Sequence, residues 1–227
     1  MRILLISVLI STFSINLHAQ LGRVLRSVDE VEVLGGPSLV SMRGVLFKEH
    51  NKPKIGHSIG IGLTWKANEK AFISAKFLYE RKGLRRYFNE IHYTDENNER
   101  QIGESEYVLK TSYLTIPLCF KYSLNKTGNL FIEVGPYFSY LVKAQSYTWY
   151  SWRGTRIMNQ KENLRDYDFG VAFTVNKKIF IWDTISVNSF AGIHYGFTDV
   201  SKFSPSTTIN TLRNNVLTAG LSLSIKK

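Results

Sequence analysis

The chain of 227 residues holds one cysteine, Cys119, and that scarcity removes several chemistries at once. No internal disulfide can form, even in an oxidising compartment. There is no CxxC and no His/Cys cluster, so a structural zinc site has no ligands to draw on. A catalytic thiol needs a His partner and an exposed, electropositive setting, whereas Cys119 sits in an apolar run and reads as a small buried filler. Also missing is a nucleophile, base and orienter in reach of one another. Ser189 and His194 stand at odd spacing on one strand and so point to opposite faces. His50 and His57 have no Ser or Asp partner in sequence, and His92 beside Asp95 reads as a solvated loop pair. These absences predict no catalytic residues, no metal, no cofactor and no enzyme.

Acidic residues are few too: 18 Asp and Glu against 29 Lys and Arg, a net charge of +11. A nucleic-acid binder would gather such charge on one face or helix. Here it is spread over loops, at Lys48, Lys52, Lys54, Arg85, Arg86, Arg153, Arg156, Lys161 and Arg165, with no recognition helix. The same residues suit a rim facing anionic head groups. The partner these charges predict is an anionic lipid surface, and no nucleic acid is expected.

What is present begins with an export signature. Arg2 supplies a positive start, Ile3 to Leu17 is an apolar run, and Leu17-His18-Ala19 ends on a small residue. A cleaved signal peptide over 1–19 is expected, and loss of Arg2 with it leaves the charge at +10. No cysteine follows the cleavage site, which argues against a lipid anchor. A short lead-in over 20–28 and one all-β domain over 29–227 account for the rest.

Helical periodicity is never sustained, while period two recurs. Leu114, Ile116, Leu118, Phe120, Tyr122 and Leu124 alternate with Thr115, Cys119, Lys121 and Ser123. Ile132, Val134, Phe138, Tyr140 and Val142 alternate with Glu133, Gly135, Ser139 and Lys143. Six further stretches, around residues 31–40, 55–65, 71–82, 166–175, 185–197 and 217–225, repeat the rule. The apolar set is bulky and the other set is rich in Gly, Ser, Thr and Ala. Small residues suit the narrow interior of an eight-stranded barrel, and bulky ones suit a lipid-facing band. Tyr79, Tyr140, Tyr167, Trp65 and Trp182 fall near strand ends, where interfacial girdles lie.

Short turns near residues 66–70, 125–129 and 176–179 alternate with long connections over 41–54, 85–106, 145–165 and 199–213. The fold expected is an eight-stranded antiparallel up-and-down transmembrane β-barrel with short periplasmic turns and long extracellular loops. Pro117 and Pro136 interrupt two strands, and β-bulges are expected there.

Lys76, Glu80, Lys82, Lys121, Glu133, Lys143, Asp168 and His194 fall on the inward face. Lys121 and Glu133 flank one short turn, so a salt bridge between them is expected. Buried charges must be paired, which favours a rigid network over an ion path. Tyr147, Trp149, Tyr150 and Trp152, followed by Arg153 and Arg156, form an external aromatic and basic cluster, read either as a contact surface or as girdle and loop packing.

Several local stretches resemble the PorT-like outer-membrane β-barrel proteins of Bacteroidetes-type bacteria. They include Leu78-Tyr79-Glu80-Arg81-Lys82-Gly83, Tyr113-Leu114-Thr115-Ile116-Pro117-Leu118, Gly135-Pro136-Tyr137-Phe138, Asp168-Phe169-Gly170, Tyr195-Gly196-Phe197-Thr198-Asp199-Val200 and Asn214-Asn215-Val216. The resemblance implies an integral outer-membrane barrel with a structural or interaction role, one branch of which serves protein secretion, and so outer-membrane lipid, lipopolysaccharide and envelope or secretion-system proteins as partners. It carries over no catalytic residue. The chain departs from the resemblance at its end, Ile225-Lys226-Lys227, where such barrels finish on an aromatic. Two alternatives remain open from sequence: a channel for small solutes or ions, and a soluble lipocalin-like binding barrel.

Overall fold

A computed structural model describes residues 27–44, 51–94, 99–202 and 211–227, which are almost wholly extended. The expected signal segment 1–19, most of the lead-in, and His50 and Asp95 lie outside the described residues. Side chains of a strand alternate between faces, so a sequence with two chemically distinct alternating sets is satisfied by a sheet with two distinct sides. Among the described residues, ten strands form in chain order. They are β1 (Glu30–Arg43), β2 (Asn51–Lys52), β3 (Lys54–Lys66), β4 (Ala71–Thr94), β5 (Arg100–Ser123), β6 (Leu130–Tyr150), β7 (Gly154–Asn159), β8 (Tyr167–Trp182), β9 (Ile185–Gly196) and β10 (Arg213–Lys226).

All pairings are antiparallel. β1 lies between β10 and β3, β4 between β3 and β5, β6 between β5 and β8, and β9 between β8 and β10. Each of these eight long strands therefore has a partner on both sides, which satisfies its backbone groups through neighbours. The two short strands add to this set, β2 on β4 and β7 on β6. The result is an all-β, antiparallel, barrel-like fold with tight turns at one end and longer connections at the other.

The bulky apolar set faces out. Leu118, Phe120 and Val134 are 53%, 50% and 45% exposed, and Ile132 on the same face is half-buried. A soluble barrel would require the opposite orientation. The buried side holds serines, threonines and ions, but it is not lined by small residues throughout. Leu34, Leu78, Tyr113, Tyr137, Leu141 and Phe190 also point inward and are buried. Large side chains fill the interior between its charged zones, where voids would forfeit contact.

Three local expectations change. The third turn is not at 176–179: β8 runs on to Trp182, and the reversal is Asp183-Thr184, with Asp183 at φ 46°. An Asp tolerates that left-handed backbone, and a register shift between Lys178 and Phe180 absorbs the longer strand. Most of the connections expected over 85–106 and 145–165 are strand as well. β4 and β5 pair as far as Thr94 opposite Arg100, and β7 folds back on β6. These extensions rise clear of the apolar band, so they carry no continuous greasy face, and cross-strand pairs such as Arg85–Glu106 at 2.6 Å hold them. Finally, no bulge forms at Pro117 or Pro136. The β5–β6 register is the same at Pro117 opposite Tyr137 and at Phe120 opposite Val134. A proline removes a donor, not a residue of register.

Candidate functional site

The inward charges gather into two clusters at different heights. The one nearer the long connections centres on Lys82 of β4, whose Nζ lies 3.3 Å from Asp168 Oδ2 of β8 and 3.3 Å from Glu80 Oε2. The same ammonium donates to Ser139 Oγ at 3.2 Å and stands 4.9 Å from the ring centres of both Tyr113 and Tyr137. Two aromatic faces beside a desolvated cation add attraction. Asp168 accepts from Tyr137 Oη at 3.2 Å and Asn214 Nδ2 at 2.9 Å. Glu80 accepts from Thr115 Oγ1 at 2.7 Å, and His194 Nδ1 sits 3.0 Å from its other oxygen. Lys82, Glu80 and Asp168 are buried to within 1%.

The second cluster lies toward the turns. Lys76 Nζ is 2.6 Å from Glu133 Oε2 and 3.4 Å from Glu32 Oε1. Ser74 Oγ donates to Glu133 at 3.4 Å. Lys121 and Glu133 are direct cross-strand partners, their charged atoms 3.8 Å apart. A looser chain continues through Glu30, 4.0 Å from Lys121 and 3.7 Å from Lys178. Gly62 has a specific part in this arrangement: a Cβ there would stand 2.5 Å from Glu32 Oε1, so a larger residue would push that side chain aside.

A cavity of about 30 Å³ separates the two clusters, lined by Glu80, His194, Lys76 and Glu133 with Leu34 and Phe190 among its apolar walls. That is room for one or two waters. Below the second cluster a wider cavity of about 370 Å³ opens at the turn end, with Glu30, Lys121, Lys178 and Phe131 on its wall. Above the first cluster the interior is closed by an apolar group that includes Met42, Leu84, Leu109, Tyr113, Leu141 and Ala144 from strands and Leu164 and Val200 from the connections. Backbone hydrogen bonds tie those connections together: Arg165 donates to Val200 O at 2.7 Å and Val200 to Leu212 O at 2.7 Å.

Of the inward residues expected from sequence, Lys143 is the exception. The register shifts between Ser112 and Tyr113, which pair with Lys143 and Leu141, so Val142 is the extra residue. Leu141 and Ala144 are buried while Lys143 is exposed. Alternation alone could not locate that bulge. Glu30 and Glu32 were not singled out in sequence, although their even spacing with Leu34 and Ser38 on β1 places them inward. Tyr137 and Asn214 appear in the sequence only within the PorT-like stretches, and nothing local marks them as partners of Asp168.

The external cluster is divided by the same alternation. Trp152 is spent on packing, stacked on Tyr93 with ring centres 4.0 Å apart and against Tyr150 at 5.2 Å. Tyr147 lies under Lys110 Nζ at 4.1 Å. Trp149, Arg153 and Arg156 are exposed. Trp149 pairs with Thr155 and Arg156 with Thr148, so Trp149 and Arg156 point to opposite sides of the β6–β7 ribbon. Among the possible catalytic residues, Ser189 lies on the outward face while His194 points inward, and the exposed His57 ring leans on Tyr79 at 6.3 Å. Among the described residues, no three of His, Cys, Asp and Glu are grouped to hold a metal ion.

Residues 28–213 match the family model described as the outer membrane protein beta-barrel domain. No curated protein matches the chain. Solved structures of similar fold include Ail of Yersinia pestis, at 9% identity and TM-score 0.40, covering 87% of this chain and 99% of that one. Outer membrane protein W of E. coli is similar at 11% identity and TM-score 0.40, covering 88% and 98%. The outer membrane protease OmpT of Escherichia coli is similar at 9% identity and TM-score 0.41, again covering 88% and 98%.

Proposed function

Since the chain belongs to the outer membrane protein β-barrel domain family, we propose that its eight long strands close into a transmembrane barrel whose sealed interior serves a structural or interaction role at the envelope. Long connections then face outside and tight turns face the periplasm. The observation that carries the reading is the filled interior. The apolar stopper, the Lys82–Asp168 cluster, the Lys76–Glu133 cluster and the intervening 30 Å³ void follow one another along the barrel. Conduction needs a continuous wetted path, and a void for one or two waters between paired ions is not one.

An enzymatic role draws no support from the site, because the hydroxyls beside its charges, Thr115 on Glu80 and Ser139 at Lys82, are fully buried. The interaction role would fall to the strand extensions, where Trp149, Arg153 and Arg156 stand exposed above the barrel. Support for secretion comes from the PorT-like motifs alone, and a signal peptide over 1–19 delivers the chain to the membrane in this reading. The purified protein in planar bilayers tests the sealed interior. The reading expects no steady current; ion-selective, single-channel steps would replace it with the channel alternative.

A further inference from the structure

Outside the barrel, on β4 to β6, a patch of cations stands directly above the apolar band, with Lys54 beside it at the end of β3, opposite the buried Val40. The last outward rung of that band runs through Ile59, Tyr79, Leu114, Tyr140 and Tyr167, each opposite the next on neighbouring strands. Two residues further along, Arg81 and Lys143 flank Ser112 on the two adjoining strands. Two residues beyond those, Lys110 pairs with Gly83. At roughly 3.3 Å of rise per residue and a tilt near 40°, these cations stand about 5–10 Å above the tyrosine rung. That is the depth of lipid phosphates.

The patch has three features that scattered surface lysines lack. Among the described residues, no carboxylate lies within ion-pair distance of Lys54, Arg81, Lys110 or Lys143, and Glu106 is held by Arg85. Second, Gly83 pairs directly with Lys110 and puts no side chain between Arg81 and Arg85 on that face of β4. Its φ of 134° disfavours any other residue, and a Cβ there would meet Leu109 O at 2.0 Å. Third, Lys54 is half-buried among these cations, and burial with the charges of Lys110, Arg81 and Arg85 pushes it down to about 8. Like charges held together without a counter-ion are stabilised by an anion.

We infer that Lys54, Arg81, Lys110 and Lys143 form a binding site for the phosphate of an outer-leaflet lipid, whose acyl chains lie against Ile59, Phe77, Leu114 and Ile116 below. The inference rests on the transmembrane reading, which puts that band in hydrocarbon. Continuity between the cations and the greasy surface assigns the occupant to a lipid rather than a free anion.

The test uses the mature full-length protein in phosphatidylcholine nanodiscs, with native mass spectrometry counting added diphosphoryl lipid A. Removing three charges in Lys54→Gln/Arg81→Gln/Lys110→Gln is expected to weaken binding roughly a hundredfold, at about fivefold per charge. Lys126→Gln, at a periplasmic turn, should leave it unchanged, and dephosphorylated lipid A should bind wild type as weakly as the triple variant binds lipid A. Equal binding by wild type and triple variant, or of both lipids, overturns the site. Competition by millimolar inorganic phosphate would overturn the lipid assignment. Wild type that fails to enter the nanodisc, and shows no heat-modifiable migration, would sink the transmembrane reading itself. Normal insertion with unchanged binding would sink only the site.

Discussion

The two interior charge clusters use the same residue types and are built differently. The outer one is fully enclosed, and each carboxylate in it has neutral donors as well as a cation: Tyr137 and Asn214 on Asp168, Thr115 on Glu80. The inner one starts as tightly, at Lys76–Glu133, then loosens through Lys121, Glu30 and Lys178 into the 370 Å³ opening. Buried ions need close partners because desolvation is costly, and solvated ions do not; even in the outer cluster Asp168 Oδ1 has no hydrogen-bond partner. On the transmembrane proposal, the difference makes the outer cluster part of the seal and the inner one a graded boundary with the opening at the turn end.

Substitutions should expose that gradient. Asp168→Ala takes one of the two carboxylates from Lys82, leaving Glu80, and orphans the buried Tyr137 and Asn214 donors, so a loss of about 3–5 kcal/mol is expected in urea unfolding from detergent micelles. Glu133→Gln keeps a hydrogen-bond acceptor and leaves Glu32 to Lys76, so the same assay should register about 1–3 kcal/mol. Glu30→Ala acts where water already screens the pair and should cost no more than about 1 kcal/mol. If Glu30→Ala proved as damaging as Asp168→Ala, the seal-and-boundary distinction would be wrong.

The smallest expected effect lies outside the barrel. Lys54 with a pKa near 8 is charged below that value and neutral above it. The charges facing it are Arg81 and Arg85 from β4 and Lys110 from β5, while its β1 partner Val40 carries none. Raising the pH from about 7 to about 9 removes one attractive charge, so lipid A binding should weaken by up to about fivefold. In Lys54→Gln that pH dependence should vanish, as read from the same lipid titration at both pH values.

Much of the fold was legible because lipid and lumen impose opposite chemistry on alternate residues. Phe120 beside Lys121, and Phe169 beside Asp168, declare their faces without any tertiary knowledge. Legibility ended where that opposition ended. Above the band both faces of β4 to β7 meet water or one another, so Tyr93 and Trp152 looked like loop residues although they stack on extended or closely joined backbone. Lys143 was misplaced because one extra residue, Val142, reverses every later side chain. The inner site was half visible. Its ions follow from parity, but the match of Lys76 to Glu133 spans strands that are not neighbours, and no local pattern encodes such a contact.

The central claim is that the bulky set faces hydrocarbon and the ionic set fills the interior. Spin labels test it most directly, placed singly at Leu118→Cys and Phe120→Cys in a Cys119→Ala background reconstituted in bilayers. Collision with dissolved oxygen should be frequent and collision with a water-soluble nickel chelate rare at both positions. Frequent collision with the chelate, or with neither reagent, would put these side chains in water or in the barrel and contradict the account.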